Sequence, residues 1–215
     1  MKDPAIVGVA TMAGREEALE KMMKSLKGQC NEIVVYNNAV EKIDLSDNGK
    51  FYGLAHMPSP CYYLPCDDDL EYPPTYVQDM IEAIDRLGCI VTHHGKILKG
   101  KGVSYYRGGH TAFRCLDEVT EEREIDVAGT GVCGFHTSYF NPSEIDISSF
   151  KRMSDLVFSR WAAQEKKKIM ILKHPAGYIK HLPIDQTKTI FATERNNDKV
   201  QSSFADDIYD LRHPA

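Results

Sequence analysis

The chain has 215 residues, with 26 Lys and Arg against 31 Asp and Glu, for a formal net charge of −5. That length suits one domain with a sizeable buried core, and 42% apolar with 27% charged residues is an ordinary globular balance that excludes disorder and fibrous repeats. The acidic balance argues against a broad phosphate-neutralising surface despite the basic run at residues 96–101, and no apolar run approaches the roughly 20 residues that span a bilayer.

Residues 6–10 (IVGVA) read as a buried parallel strand, followed by a loop at 11–14. From Arg15 onward, Leu19, Met22, Met23 and Leu26 fall on one helical face, and Gly28 ends the helix. Residues 32–36 form the next strand, stopped by Asn37 and Asn38, so the chain opens as a βαβ unit. A third apolar run, 61–64, leads through Pro65 and Cys66 into Asp67, Asp68 and Asp69. A helix starting at Tyr72-Pro73-Pro74 then buries Val77, Met80, Ile81, Ile84 and Leu87. Beyond it come a strand at 89–92 with His93 and His94 at its end, and an exposed hairpin or loop at 96–102. An inner strand at 132–135, a helix from Asp155 capped by Ser154, and a last core strand at 169–172 complete the core; Trp161 reads as a core residue. A single domain, 1–215, is expected, with a core at 5–181 and a C-terminal tail at 182–215 that carries a helix at 198–211. Residues 100–109 are the one stretch that reads as a flexible insertion. The six cysteines form no CxxC pair and, without an export signal, read as reduced thiols of a cytoplasmic protein.

The sharpest chemical feature is the acidic triplet directly after a strand. At ~5 Å and an effective dielectric near 20, each like-charge pair costs on the order of 3 kcal/mol. No Lys or Arg occurs between Asp67 and Gln78 to offset this. A hard divalent cation would resolve the repulsion, whereas the bland reading is an exposed acidic turn.

Taken together, five segments resemble the family 2 glycosyltransferases. Residues 6–26 resemble that family's opening strand, nucleotide loop and first helix, and 32–38 its second strand. Residues 66–80 (CDDDLEYPPTYVQDM) are similar to its DxD segment, 129–137 (GTGVCGFHT) to the stretch framing donor sugar and acceptor, and 153–172 to the segment with the catalytic acid. The resemblance implies a GT-A type α/β fold: a mostly parallel, Rossmann-like central sheet with helices on both faces and a mixed strand near the active site. It also implies metal-dependent transfer of a sugar from a nucleotide-diphosphosugar, UDP-linked, to an acceptor hydroxyl with inversion. Mn²⁺ or Mg²⁺ is the implied cofactor. The acceptor is a glycan, a lipid-linked sugar or another hydroxyl; the net charge disfavours a nucleic-acid acceptor. The chain is short for that family, which implies an acceptor lid that is minimal, mobile or supplied by a partner subunit, and a homo-oligomer is compatible with this.

Carried over onto this sequence, Thr11 and Arg15 face the nucleotide phosphates, and Asp67 and Asp68 lie near the donor. Asp69, with Asp67, binds the metal, and His181 is a third ligand. Asp155 is the general base, and Gly134 and His136 border the sugar and acceptor. Where the family usually carries a base-reading acid, this chain has Asn37 and Asn38. Two alternatives are a nucleotidyltransferase, which wants a Gly-rich loop with Lys that residues 13–15 lack, and a non-catalytic sugar-nucleotide-binding protein. Metal-dependent phosphohydrolysis would want more His and Asp ligands at several strand ends.

Overall fold

The computed structural model describes residues 3–56, 60–140, 145–185, 187 and 189–214. Strand β1 (Ala5–Thr11) leads into helix α1 (Glu16–Leu26), strand β2 (Glu32–Asn37) and a 3₁₀ segment (Ser46–Ala55). Then come β3 (Tyr62–Asp67), β4 (Leu70–Glu71), α2 (Tyr76–Leu87), β5 (Ile90–Thr92), β6 (Gly95–Leu98), β7 (His110–Phe113), β8 (Arg123–Glu124), β9 (Val127–Ala128) and β10 (Cys133–His136). The chain ends with α3 (Ser154–Gln164), β11 (Ile169–Ile171), β12 (Lys180–His181), α4 (Ile190–Glu194) and α5 (Lys199–Arg212).

Seven strands form one mixed α/β sheet in the order β2-β1-β3-β10-β5-β11-β8. The pairings β1 with β2, β1 with β3, and β5 with β11 are parallel, whereas β10 and β8 run against their neighbours. Two small sheets accompany it, β12-β4 and β7-β6-β9. Alternation along the strands sorts the core into two layers. Val7, Val9, Leu64 and Cys66 pack with Met22 and Leu26 of α1 and with Met80 and Ile84 of α2. Ile6, Tyr63 and Phe135 face the other way, onto Phe51 of the 3₁₀ segment, Phe158 of α3 and Ile208 of α5. Helices therefore cover both faces, as expected for an α/β sheet.

Several elements depart from the sequence expectations for local reasons. Strand β3 runs straight through Pro65, because the β10 ladder pairs with Tyr62 and Tyr63 and resumes only as a bridge at Cys66, skipping the residue that has no N–H to give. Helix α2 begins at Tyr76 rather than at Tyr72, since each proline biases the residue before it toward extended backbone. Of the hairpin or loop expected at 96–102, residues 96–98 belong to β6, which pairs antiparallel with β7 and buries Leu98, and Lys96 Nζ lies 3.4 Å over the Tyr105 ring instead of adding to a basic patch. The stretch at 100–109 is strapped to α5 and its N-cap residue by Lys101–Asp210, Gly102–Asp206 and Ser104–Asp198 contacts. The buried core extends past residue 181 into the C-terminal tail, through Phe204, Ala205 and Ile208. Trp161 packs on Phe140, all six cysteines are free, and no helix among the described residues is long and apolar enough to cross a membrane.

Candidate functional site

The chain leaves β1, makes β2 on one side, and returns to make β3 on the other. The α1 crossover packs on one face and the 3₁₀ crossover on the other, so the carboxyl ends of β1 and β3 flank a topological switch point, where open α/β sheets bind ligands. Thr11 ends β1, Asp67 ends β3, and a cleft of about 520 Å³ opens there. Its walls carry all three aspartates of the triplet and Arg15, together with Asp47 and Lys50 from the 3₁₀ segment. Lys151, Arg152, Thr189 and Ile190 also line it.

The sequence gives no cation near the triplet, but the fold supplies two. Arg15 Nη1 lies 3.1 Å from both Asp68 Oδ1 and Asp69 Oδ2. Lys50 donates to Asp67 Oδ1 from a side chain only 4% exposed. Thr11 Oγ1 donates to Asp68 Oδ2 at 2.7 Å. Burial nevertheless raises the Asp68 carboxyl to about 6, with Asp69 and Asp67 adding to the rise against Thr11 and Arg15. Burial and the charge of Asp67 raise Asp69 as well. For Lys50, burial would favour the neutral amine, but Asp67, Asp47 and Asp155 outweigh it and hold the ammonium charged.

His181 reaches the triplet through the β12–β4 pairing, where it faces Leu70. Its Nε2 lies 3.9 Å from Asp69 Oδ2. Nδ1 sits 2.7 Å from the Leu182 carbonyl, which only accepts, so Nδ1 carries the ring proton and Nε2 of the neutral ring keeps its lone pair. Asp69 and His181 thus form an oxygen and nitrogen donor pair suited to Mn²⁺. Among the described residues no group of three or more His, Cys, Asp or Glu side chains stands ready as a complete cage. An ion held by one or two carboxylates and completed by substrate phosphates does not require one.

Asp155 lies in the first turn of α3. Its Oδ1 accepts from both the N–H and the hydroxyl of Thr130, each at 2.7 Å, and Oδ2 has no hydrogen-bond partner among the described residues. Ser154 does not cap this helix; its hydroxyl meets Thr130, and its N–H donates to Asp47 Oδ2 at 2.9 Å. The cap is a carboxylate from 107 residues away, which no local pattern reveals.

Four expected site residues are engaged elsewhere in the protein. Asn38 uses its whole amide inside the protein: Nδ2 donates to Thr11 O and Ser46 O, and Oδ1 accepts from Leu45 and Ser46 N–H. It is a loop clamp, with no amide capacity left to read a base. Gly134 faces Met80 and Ile84 of α2 inside the core. His136 pairs with Tyr62 at the opposite end of β3, roughly 16 Å from the triplet at strand rise, and contacts Asp3 and Ser138. Asn37 turns its Oδ1 to the Ala39 N–H.

Two glycines seat the site. An added Cβ at Gly8 would lie 2.1 Å from Lys50 O, so glycine lets the 3₁₀ segment settle on the sheet. At Gly131 it would lie 1.8 Å from Asp67 Oδ2. The sequence reading missed Lys50, Asp47 and both glycines, because each acts through a partner distant in the chain.

No family model matches the chain, and no curated protein sequence is similar to it. Among solved structures, A197 from STIV is similar over 86% of this chain and 87% of its own, at 15% identity and a TM-score of 0.49.

Proposed function

We propose that the chain is a GT-A type glycosyltransferase that moves a sugar from a nucleotide-diphosphosugar, UDP-linked, to an acceptor hydroxyl with inversion. The observation that carries this reading is the convergence of Asp67, Asp68, Asp69, Arg15 and His181 beside a cleft at the β1/β3 switch point. Arg15 would turn from the two carboxylates toward the diphosphate, and Lys151 and Arg152 in the cleft lining would add positive charge for the same anion. Asp69, Asp67 and His181 would hold Mn²⁺ or Mg²⁺, which supplies Lewis-acid assistance to departure of the diphosphate. Asp155 would take the proton of the acceptor hydroxyl at Oδ2, while Thr130 fixes the carboxylate through Oδ1.

A second reading is a non-catalytic sugar-nucleotide-binding protein. It is favoured by the internal neutralisation of the triplet by Arg15 and Lys50, which removes part of the need for a metal. Thermal unfolding with UDP-, GDP- and dTDP-sugars, with and without Mn²⁺, tests the proposal. A donor at ~100 times its dissociation constant adds about 2.7 kcal/mol of stability, and the effect should require the ion. No donor giving a Mn²⁺-dependent shift would overturn the transferase reading. A donor shift independent of Mn²⁺, without sugar transfer, selects the second.

A further inference from the structure

We propose that Lys50 is a resident counter-cation of the acidic triplet, which yields Asp67 to an incoming divalent ion by moving its ammonium to the unpartnered carboxylate oxygen of Asp47. This inference rests on the metal-dependent reading above and concerns how the same site accepts its ion.

The backbone of Lys50 is pinned. Its carbonyl accepts from the Tyr63 hydroxyl at 2.7 Å and lies directly over Gly8, so only the side chain is free to shift. Asp47 stands three residues earlier in the same 3₁₀ segment, where side chains at i and i+3 eclipse one another. Asp47 Oδ2 is taken by the Ser154 N–H, but Oδ1 is out of solvent contact and has no hydrogen-bond partner among the described residues. A buried acceptor left without a donor calls for an explanation. The neighbouring ammonium carries three N–H groups, of which Asp67 takes one. Both residues line the cleft. Asp67, with its side chain 41% exposed, is the end of the ion pair that an entering cation meets first. A divalent charge on Asp67 would repel the ammonium, and the vacant oxygen of Asp47 offers it a second station inside the protein, so no charge has to be stranded.

The test is Mn²⁺ binding to the full chain, followed by the electron paramagnetic resonance signal of free Mn²⁺, with and without UDP. The variants are Lys50→Met, Asp47→Asn and the double substitution, each checked for folding by circular dichroism. Lys50→Met should tighten Mn²⁺ binding by about tenfold or more, since a competing charge beside the ion is gone. A merely structural lesion would not tighten it. Asp47→Asn should weaken binding several-fold when Lys50 is present and have no effect in the Lys50→Met background. An Asp47→Asn effect of equal size in both backgrounds would mean that Asp47 acts by charge alone, and would overturn the proposal. So would a folded Lys50→Met that binds no tighter. If Lys50→Met does not fold, wild-type affinity in Asp47→Asn alone overturns it. Failure of the wild-type chain to bind Mn²⁺ even with UDP present would instead sink the metal-dependent reading itself, and this inference with it.

Discussion

Gly131→Ala places a methyl group 1.8 Å from Oδ2 and 2.1 Å from Cγ of Asp67. The carboxylate must retreat by roughly 1.5–2 Å to reach ordinary contact distance, which breaks its bond to Lys50. Lys50 stays behind in a site where its side chain is 4% exposed. Breaking a buried ion pair costs about 3–5 kcal/mol when the remaining charge finds no other partner, and the open Asp47 oxygen beside Lys50 lowers that cost. Asp67 is 41% exposed, and solvent screening of that end reduces the expected loss to about 2–3 kcal/mol. Gly14→Ala is the control: Gly14 has φ +82° and no atom within 4 Å of the added Cβ, so only backbone strain of about 1 kcal/mol is expected. Urea unfolding reads the difference as a shift in midpoint at constant slope. A Gly131→Ala loss no greater than that of Gly14→Ala would refute the claim that Asp67 and Lys50 are packed as one unit.

Further outcomes follow from the same geometry. Asp155→Asn should abolish sugar transfer while donor binding, measured by calorimetry, persists; loss of both together would remove Asp155 from the role of base. Asn38→Ala removes four hydrogen bonds and should cost about 2–4 kcal/mol without changing the preference among UDP, GDP and dTDP. A switch in nucleotide preference would make it a base reader after all. Burial, followed by the charge of His174, pushes His93 down to about 3, so the folded state binds fewer protons than the unfolded state below pH 6.5. Stability present above pH 6.5 is therefore lost as pH falls toward 3, by on the order of 5 kcal/mol from this group. Asp68, raised to about 6, works in the opposite sense between pH 6 and 4, worth about 3 kcal/mol, so a net acid-induced loss remains. His93→Gln should flatten the acid limb of the urea midpoint against pH; an unchanged limb would show that His93 does not titrate on unfolding.

What could be read from the sequence alone was whatever short-range pattern encodes. The apolar runs of β1, β2 and β11 and the i, i+3, i+4 faces of α1 and α2 needed only the burial periodicity of strands and helices, and the elements appear within a few residues of expectation. An acidic triplet at a strand end was visible for the same reason, and so was Arg15 at the helix entrance. The tertiary structure decided how those charges are balanced. Lys50 is 17 residues from Asp67 and Asp47 is 107 from Ser154, and no local periodicity relates such pairs. It also separated residues that the chain places close together: Gly134 and His136 follow Gly131 within five positions, yet Gly131 packs on Asp67 whereas Gly134 faces α2 and His136 sits at the far end of β3. A strand alternates faces every residue and advances about 3.3 Å each time, so sequence proximity along β10 does not mean proximity to the cleft. Sheet order is set by long-range pairing of β10 between β3 and β5, and that pairing determines which side chains surround the triplet.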